Sequence, residues 1–295
     1  MNREDRALLR QTENGLYCAA GDFYVDPWLP VDRAVITHAH ADHAYGGCGR
    51  YLASREGYTV LRARLGDDAA IRTLEYGERI EINGVTVSLH PAGHILGSAQ
   101  VRVEHRGEVW VVSGDYKTEP DPTCSAFEVV RCHGFISEST FGLPIYRWQP
   151  QEEVFDEIRN WWIGNREAGK ASVLFAYSLG KSQRVLAGLA ARGELPGPIL
   201  THGAVENMTR AYRDGGRTLP PTTRVSEAVP KSEWPGSLIL APPSAQGTPW
   251  MRRFGILSSG FASGWMRIRG PRRRRAVDRG FVLSDHVDWP SLLAT

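Results

Sequence analysis

The stretch Thr37-His38-Ala39-His40-Ala41-Asp42-His43 decides how the rest of the chain is read. It follows the apolar run Ala34-Val35-Ile36, so four side chains able to hold a metal sit on the turn that leaves a strand. On extended backbone His38 and His40, two residues apart, point the same way, while Asp42 and His43 begin the following turn. The two pairs can therefore face two neighbouring cations. Imidazole nitrogens suit zinc and other first-row metals, and a carboxylate between two ions can bridge them.

Working outward, further candidates stand in matching contexts: His94 in Ala92-Gly93-His94-Ile95-Leu96-Gly97-Ser98, Asp115 in Val112-Ser113-Gly114-Asp115, and His286 in Leu283-Ser284-Asp285-His286. Each lies at the end of an apolar strand or on a glycine-rich turn, where a rigid sheet fixes the direction of a side chain. Taken singly, His94 or His286 reads as an ordinary satisfied histidine; the shared context shifts the balance toward a ligand. The cysteines, Cys18, Cys48, Cys124 and Cys132, form no C-x-x-C pair, which argues against a thiolate zinc site or a disulfide framework.

The first half of the chain reads as short strands, with a hairpin over residues 79–89 around Asn83-Gly84 and a helix near 56–66. From Pro150 the pattern changes to helix (151–167), strand (172–176), helix (181–191), strand (199–201), helix (205–213) and strand (238–241), which predicts a parallel α/β unit. A last buried strand is expected at 280–284, ahead of His286. With 295 residues, 42% of them hydrophobic, the chain can bury one or two cores. It has no run of about 18 apolar residues and five of its first ten residues are charged, so neither a membrane span nor a signal peptide fits, and the expected location is the cytoplasm.

A formal charge of +2 hides a concentration of arginine between 267 and 279, centred on Arg272, Arg273, Arg274 and Arg275 and suited to a polyanionic backbone. In Tyr177-Ser178-Leu179-Gly180-Lys181-Ser182 the glycine that a Walker A loop requires five residues before Gly180 is Phe175, so that reading fails. Ser178, Gly180 and Lys181 still open a helix, as a single-phosphate cradle would; a capped helix with a solvent-facing lysine is the plainer reading. His202, after the strand ending at Thr201, reads equally as a group in an active-site cleft and as a helix cap.

Taken together, HxHxDH, the downstream Gly-His, the strand-end Gly-Asp and the late Ser-Asp-His resemble the metallo-β-lactamase superfamily. Glu138-Ser139-Thr140-Phe141-Gly142 resembles the acidic motif opening its β-CASP branch, whose members are nucleases acting on DNA or RNA. Within that branch the wording is most similar to bacterial DNA ligase-associated exonucleases and, more distantly, to Artemis-like crosslink-repair nucleases. The resemblance covers residues 16–293. It implies an α/β (α+β) fold, an αββα sandwich over 1–146 and 280–295 with an inserted β-CASP α/β cap over 147–279. It also implies a C-terminal truncation, by about 40 residues if one strand-helix unit is missing.

For the site, the resemblance gives His38, His40 and His94 to one metal, Asp42, His43 and His286 to another, and Asp115 to both. Asp26, in Val25-Asp26-Pro27, and Glu138 would orient the ligands. Asp42, Asp115 and Glu138 are the implied catalytic acids, with two divalent ions as cofactors, zinc by default and manganese as the alternative. The implied function is a metal-dependent DNA exonuclease acting 5′ to 3′ on single-stranded or end-containing DNA, beside a ligase or helicase. The alternatives are an RNA-processing β-CASP nuclease and a nucleic-acid-binding protein without catalysis. A small-ester hydrolase leaves the cap and the arginine cluster unexplained.

Overall fold

A computed structural model describes residues 7–226, 230–268 and 277–295. The chain divides into two compact units, Met1–Thr140 with Ala294–Thr295, and Phe141–Leu293. No helix among the described residues is long and apolar enough to cross a membrane.

The first unit is built of two sheets. In the first, β1 (Arg10–Thr12), β2 (Gly15–Cys18), β3 (Phe23–Val25), β4 (Arg33–Val35), β5 (Arg50–Ser54) and β6 (Ile71–Leu74) lie in sequence order, parallel from β3 onward. The second runs β11-β10-β9-β8-β7, formed by β7 (Arg79–Ile82), β8 (Val85–Pro91), β9 (Ala99–His105), β10 (Glu108–Val112) and β11 (Gly134–Ile136). Alternation explains why they face each other: Val85, Val87 and Leu89 on β8 and Ala99, Val101 and Val103 on β9 form one buried cluster with Phe23, Val25, Val35, Leu52 and Leu74 of the first sheet. Each such side chain taken from water contributes about 1.5–3 kcal/mol. Helix α1 (Tyr58–Leu65) makes the crossover from β5 to β6. The β7–β8 hairpin turns on Asn83 and Gly84, both at positive φ (50° and 78°), the pair of left-handed residues that a two-residue turn matched to strand twist requires.

The second unit is a parallel sheet in the order β14-β13-β15-β12-β16-β17. Its strands are β12 (Ala171–Phe175), β13 (Ile199–Thr201), β14 (Thr223–Arg224), β15 (Leu238–Ala241), β16 (Leu257–Ala262) and β17 (Arg279–Phe281). Every residue of β12 and β15 is buried, as expected of strands covered on both faces. Helices α2 (Gln151–Glu167), α3 (Lys181–Ala190) and α4 (Gly203–Asp214) supply the cover; α2 turns Val154, Phe155, Ile158 and Trp162 inward. A short helix, Trp289–Ala294, ends the described chain.

The α+β class read from the sequence holds. The division of the chain differs in two places. Residues 141–146 cluster with the second unit because Phe141 and Tyr146 pack with Trp148 and Trp265, ring centroids 4.8–5.9 Å apart. The strand expected to return to the first unit, Arg279–Phe281, pairs instead with β16, where Phe281 is fully buried 5.5 Å from the Trp161 ring.

Candidate metal centre

Strand β4 delivers the histidine stretch. Beyond Val35, the Ile36 amide still donates to Leu52 (2.8 Å) and the Thr37 carbonyl accepts from Ala99 (2.8 Å), so the backbone is held between both sheets up to His38. The chain then turns, with the amides of His43 and Ala44 donating to the His40 carbonyl (3.2 and 2.8 Å). His94 sits on the loop from β8 to β9, where the Ser98 hydroxyl accepts from the amides of His94 and Ile95 (3.0 and 3.2 Å). Asp115 follows β10 through Gly114. A Cβ at Gly114 would lie 2.6 Å from that of Thr37, and its φ is 57°, so glycine is required for Asp115 to approach the histidines.

Four side chains converge there: His38, His40, His94 and Asp115 offer ligand atoms all within 4.8 Å of one another. His38 Nε2 and His94 Nε2 lie 3.1 and 3.2 Å from His40 Nδ1, and 3.6 and 3.7 Å from Asp115 Oδ2. A tetrahedral ion with bonds of 2.0–2.1 Å needs ligand atoms about 3.3–3.4 Å apart, so this donor set fits a divalent cation. The other carboxylate oxygen, Asp115 Oδ1, faces His43 Nε2 at 3.6 Å, and Asp42 Oδ2 lies 3.9 Å from that same nitrogen. Asp42 is largely exposed, its side chain 81% accessible. Asp115 thus addresses two adjacent positions, one on each oxygen.

Orientation comes from Asp26, a residue at φ 44° whose amide donates to Val35 (3.0 Å). Its carboxylate accepts from His43 Nδ1 (2.7 Å), from the Thr37 amide (2.7 Å) and from the Thr37 hydroxyl, which in turn lies 3.1 Å from His38 Nδ1. In the neutral form of both rings, Nδ1 protons engaged in this way leave the Nε2 lone pairs for the cluster. Burial by itself pushes the His43 imidazole down, but Asp26, Asp115 and Asp42 together outweigh it and raise the pKa to about 9. The same negative field favours a cation. Glu138 accepts the Tyr116 amide (2.8 Å), next in sequence to Asp115, and its own amide donates to the Ser113 hydroxyl (3.3 Å). Thr37 and Ser113 are contributors that the sequence reading passes over. Their only signal is adjacency to a candidate ligand.

A cleft of about 590 Å³ opens at the opposite ends of β4 and β5, lined by Phe23, Arg33, Arg50, Leu52, Ile80 and Ile82 among others. It holds none of these ligands, and Arg33 and Arg50 there are paired with Asp32 at 3.6 and 3.3 Å. The convergent ligand atoms lie at the histidine end.

The remaining candidates belong to the second unit. His286 follows β17; its amide donates to Ser284 Oγ (3.1 Å), its carbonyl accepts from Trp148 Nε1 (2.9 Å), and its ring lies edge-on to Phe141 (5.8 Å). The loop of Ser178, Gly180 and Lys181 is not arranged as an open cradle. The Gly180 amide donates to Gln183 Oε1 (2.8 Å), the Ser182 hydroxyl to the Tyr177 carbonyl (2.8 Å), and Gln183 Nε2 to the Ser178 carbonyl (3.1 Å). Lys181 does not face solvent, since its ammonium is buried 2.9 Å from Asp285 Oδ1. His202 caps α4, Nδ1 accepting from the Ala204 amide (3.1 Å), with Trp250 against its ring (4.9 Å). Burial and the cations Arg224 and Arg253 hold its pKa below the usual imidazole value. Arg272, Arg273, Arg274 and Arg275 lie outside the described residues.

No family model matches the chain. A protein named probable DNA ligase, from Opitutus terrae, is 31% identical over 283 residues, a match covering 95% of this chain and 27% of that protein. Endoribonuclease YSH1 from Eremothecium gossypii is 27% identical over 161 residues (54% of this chain, 20% of that one), and RNase aCSPSF2 from Saccharolobus solfataricus 29% over 137 residues (45% and 27%). The chain spans between a fifth and about a quarter of the length of these relatives. Among solved structures, a protein of unknown function from Enterococcus faecalis shares the fold with a TM-score of 0.59, covering 89% of this chain and 72% of that one at 12% identity.

Proposed function

Because the chain belongs to the β-CASP branch of the metallo-β-lactamase superfamily, we propose that it is a metal-dependent nuclease, and more narrowly an exonuclease hydrolysing the phosphodiester bonds of DNA. The observation that carries this reading is Asp115, which turns one oxygen to His38 and His94 (3.6 and 3.7 Å) and the other to His43 (3.6 Å). When bound, two divalent ions in such a site supply Lewis acidity toward phosphoryl oxygens and a water nucleophile at neutral pH.

The chain's own residues do the rest. His38, His40, His94 and Asp115 would hold one ion, and His43, Asp42 and Asp115 would face the other. The family pattern gives His286 to that second ion. Asp26 and Thr37 fix the tautomers of His43 and His38, and Glu138 holds the backbone beside Asp115. Nitrogen and carboxylate donors with no thiolate favour zinc, with manganese as the alternative. Arg272 to Arg275 would track the strand through salt-sensitive contacts. A ligase or helicase partner and a cytoplasmic setting are parts of the same proposal.

DNA is favoured over RNA by the match to the protein named probable DNA ligase, which runs through nearly the whole chain. The partial matches to endoribonuclease YSH1 and RNase aCSPSF2 support an RNA substrate as the second reading. End-labelled DNA and RNA strands of one sequence, incubated with metal-analysed protein and with Asp115→Ala, decide the matter. Stepwise shortening of DNA by the wild type alone is the expected result. Preferential RNA cleavage overturns the DNA assignment, and equal cleavage by Asp115→Ala overturns the metal mechanism.

A further inference from the structure

Lys181 opens α3 just beyond β12, and Asp285 follows β17, two strands away at the same carboxyl edge of the parallel sheet. Their side chains are 3% and 2% accessible, and Lys181 Nζ lies 2.9 Å from Asp285 Oδ1 and 4.8 Å from the centre of the Tyr177 ring. Taking both charges out of water is costly, and an apolar pair of similar volume would hold two elements together at least as well. What an ion pair adds is direction. Asp285 directly precedes His286, in a turn also tied by the Ser284 hydroxyl on the His286 amide (3.1 Å) and by Trp148 Nε1 on the His286 carbonyl (2.9 Å).

We propose that Lys181 is a positioning residue: its ion pair with Asp285 fixes the turn 284–286 and hence the direction of the His286 imidazole. This rests on the nuclease reading above, in which His286 serves the reaction. It replaces the phosphate cradle read from Ser178, Gly180 and Lys181, because the ammonium is already enclosed between a carboxylate and an aromatic face, and the Gly180 amide and Ser182 hydroxyl are bonded within the loop itself.

The test compares kcat and KM on single-stranded DNA with and without a 5′ phosphate, using the full chain loaded with zinc or manganese. Lys181→Met is expected to lower kcat about tenfold on both strands while KM moves by less than about twofold, as for groups that orient a ligand. Lys181→Arg should recover most of the loss, and Lys181→Glu combined with Asp285→Lys should exceed either single change. A rise in KM confined to the phosphorylated strand, with kcat kept, would mean that Lys181 binds phosphate and overturns the proposal, as would an unchanged kcat. Should Lys181→Met lose its far-UV circular dichroism, Asp285→Asn takes its place with the same expected and contrary results. His286→Ala separates the two levels. Full activity in that variant removes His286 from the nuclease reading, whereas loss there beside an unaffected Lys181→Met removes only the role given to the ion pair.

Discussion

Two strand-end loops each carry a run of chemistry-bearing residues singled out in the sequence, and they use their polar atoms in opposite ways. After β4, His38 and His40, joined by His94 and Asp115, turn their ligand atoms to one point, while Nδ1 of His38 meets the Thr37 hydroxyl and Nδ1 of His43 meets Asp26. After β12, Gly180, Ser182 and Gln183 close hydrogen bonds within the loop, and Lys181 is matched by a buried carboxylate. Both loops look functional as strings of residue types. Only the first leaves donor atoms converging where an ion can sit, with the cost of crowding like groups offset by that ion.

The comparison can be broken most directly at the convergent loop. His94→Ala or Asp115→Ala should lose metal, read as metal equivalents per chain, and lower hydrolysis of labelled DNA at least about a hundredfold, the upper range for supporting groups alone. Near-normal metal content in both variants would break the contrast between the loops. A smaller effect is expected one layer out. Asp26→Asn keeps the positive φ that asparagine tolerates but leaves one neutral acceptor oxygen where the carboxylate serves both Thr37 and His43 Nδ1, and should cost about 10–100-fold in metal affinity or activity with the fold intact. Gly114→Ala tests the approach of the two loops, since its Cβ would meet Thr37. A loss of about 1–3 kcal/mol in denaturant unfolding, accompanied by weaker metal binding, is the expected outcome.

The same contrast explains what was legible in the sequence. Contiguous residues are easily read, and so are local backbone rules: the histidine stretch, the Asn83-Gly84 turn and the mostly apolar β12 all carry their signal within a few positions. Strand β16, Leu257–Ala262, does not. Its Ser258, Ser259 and Gly260 look like a loop, but a Cβ on Gly260 would come within 3.0–3.3 Å of Phe281, Leu174 and Trp161, so the small residue is there because large neighbours cover it. Strands β5 and β6 were hidden likewise, being short, mixed in composition and paired in parallel across long connections. For Lys181 the residue type suggested phosphate, and only the fold shows that a distant carboxylate, Asp285, comes to meet it. Thr37 lies inside the most informative stretch, yet its bond to Asp26 depends on β3 and β4 lying side by side.

The smallest effect concerns His202, which sequence reading left between cleft and cap. As a cap, neutral Nδ1 accepts the Ala204 amide, and burial with Arg224 and Arg253 lowers the pKa from its ordinary 6.5. A group whose folded pKa is depressed in this way binds fewer protons in the native state than in the unfolded one. Its contribution is therefore complete above about pH 6.5 and declines as the pH falls toward the folded value. The thermal midpoint should drop between pH 7 and pH 5 more in the wild type than in His202→Asn, which caps without titrating. His202→Ala should lose about 0.5–2 kcal/mol at pH 7 while kcat on DNA stays within about twofold. A large fall in kcat with an unchanged midpoint would instead make His202 part of the catalytic machinery, and the second unit's polar residues could then no longer be described as turned inward on their own loops.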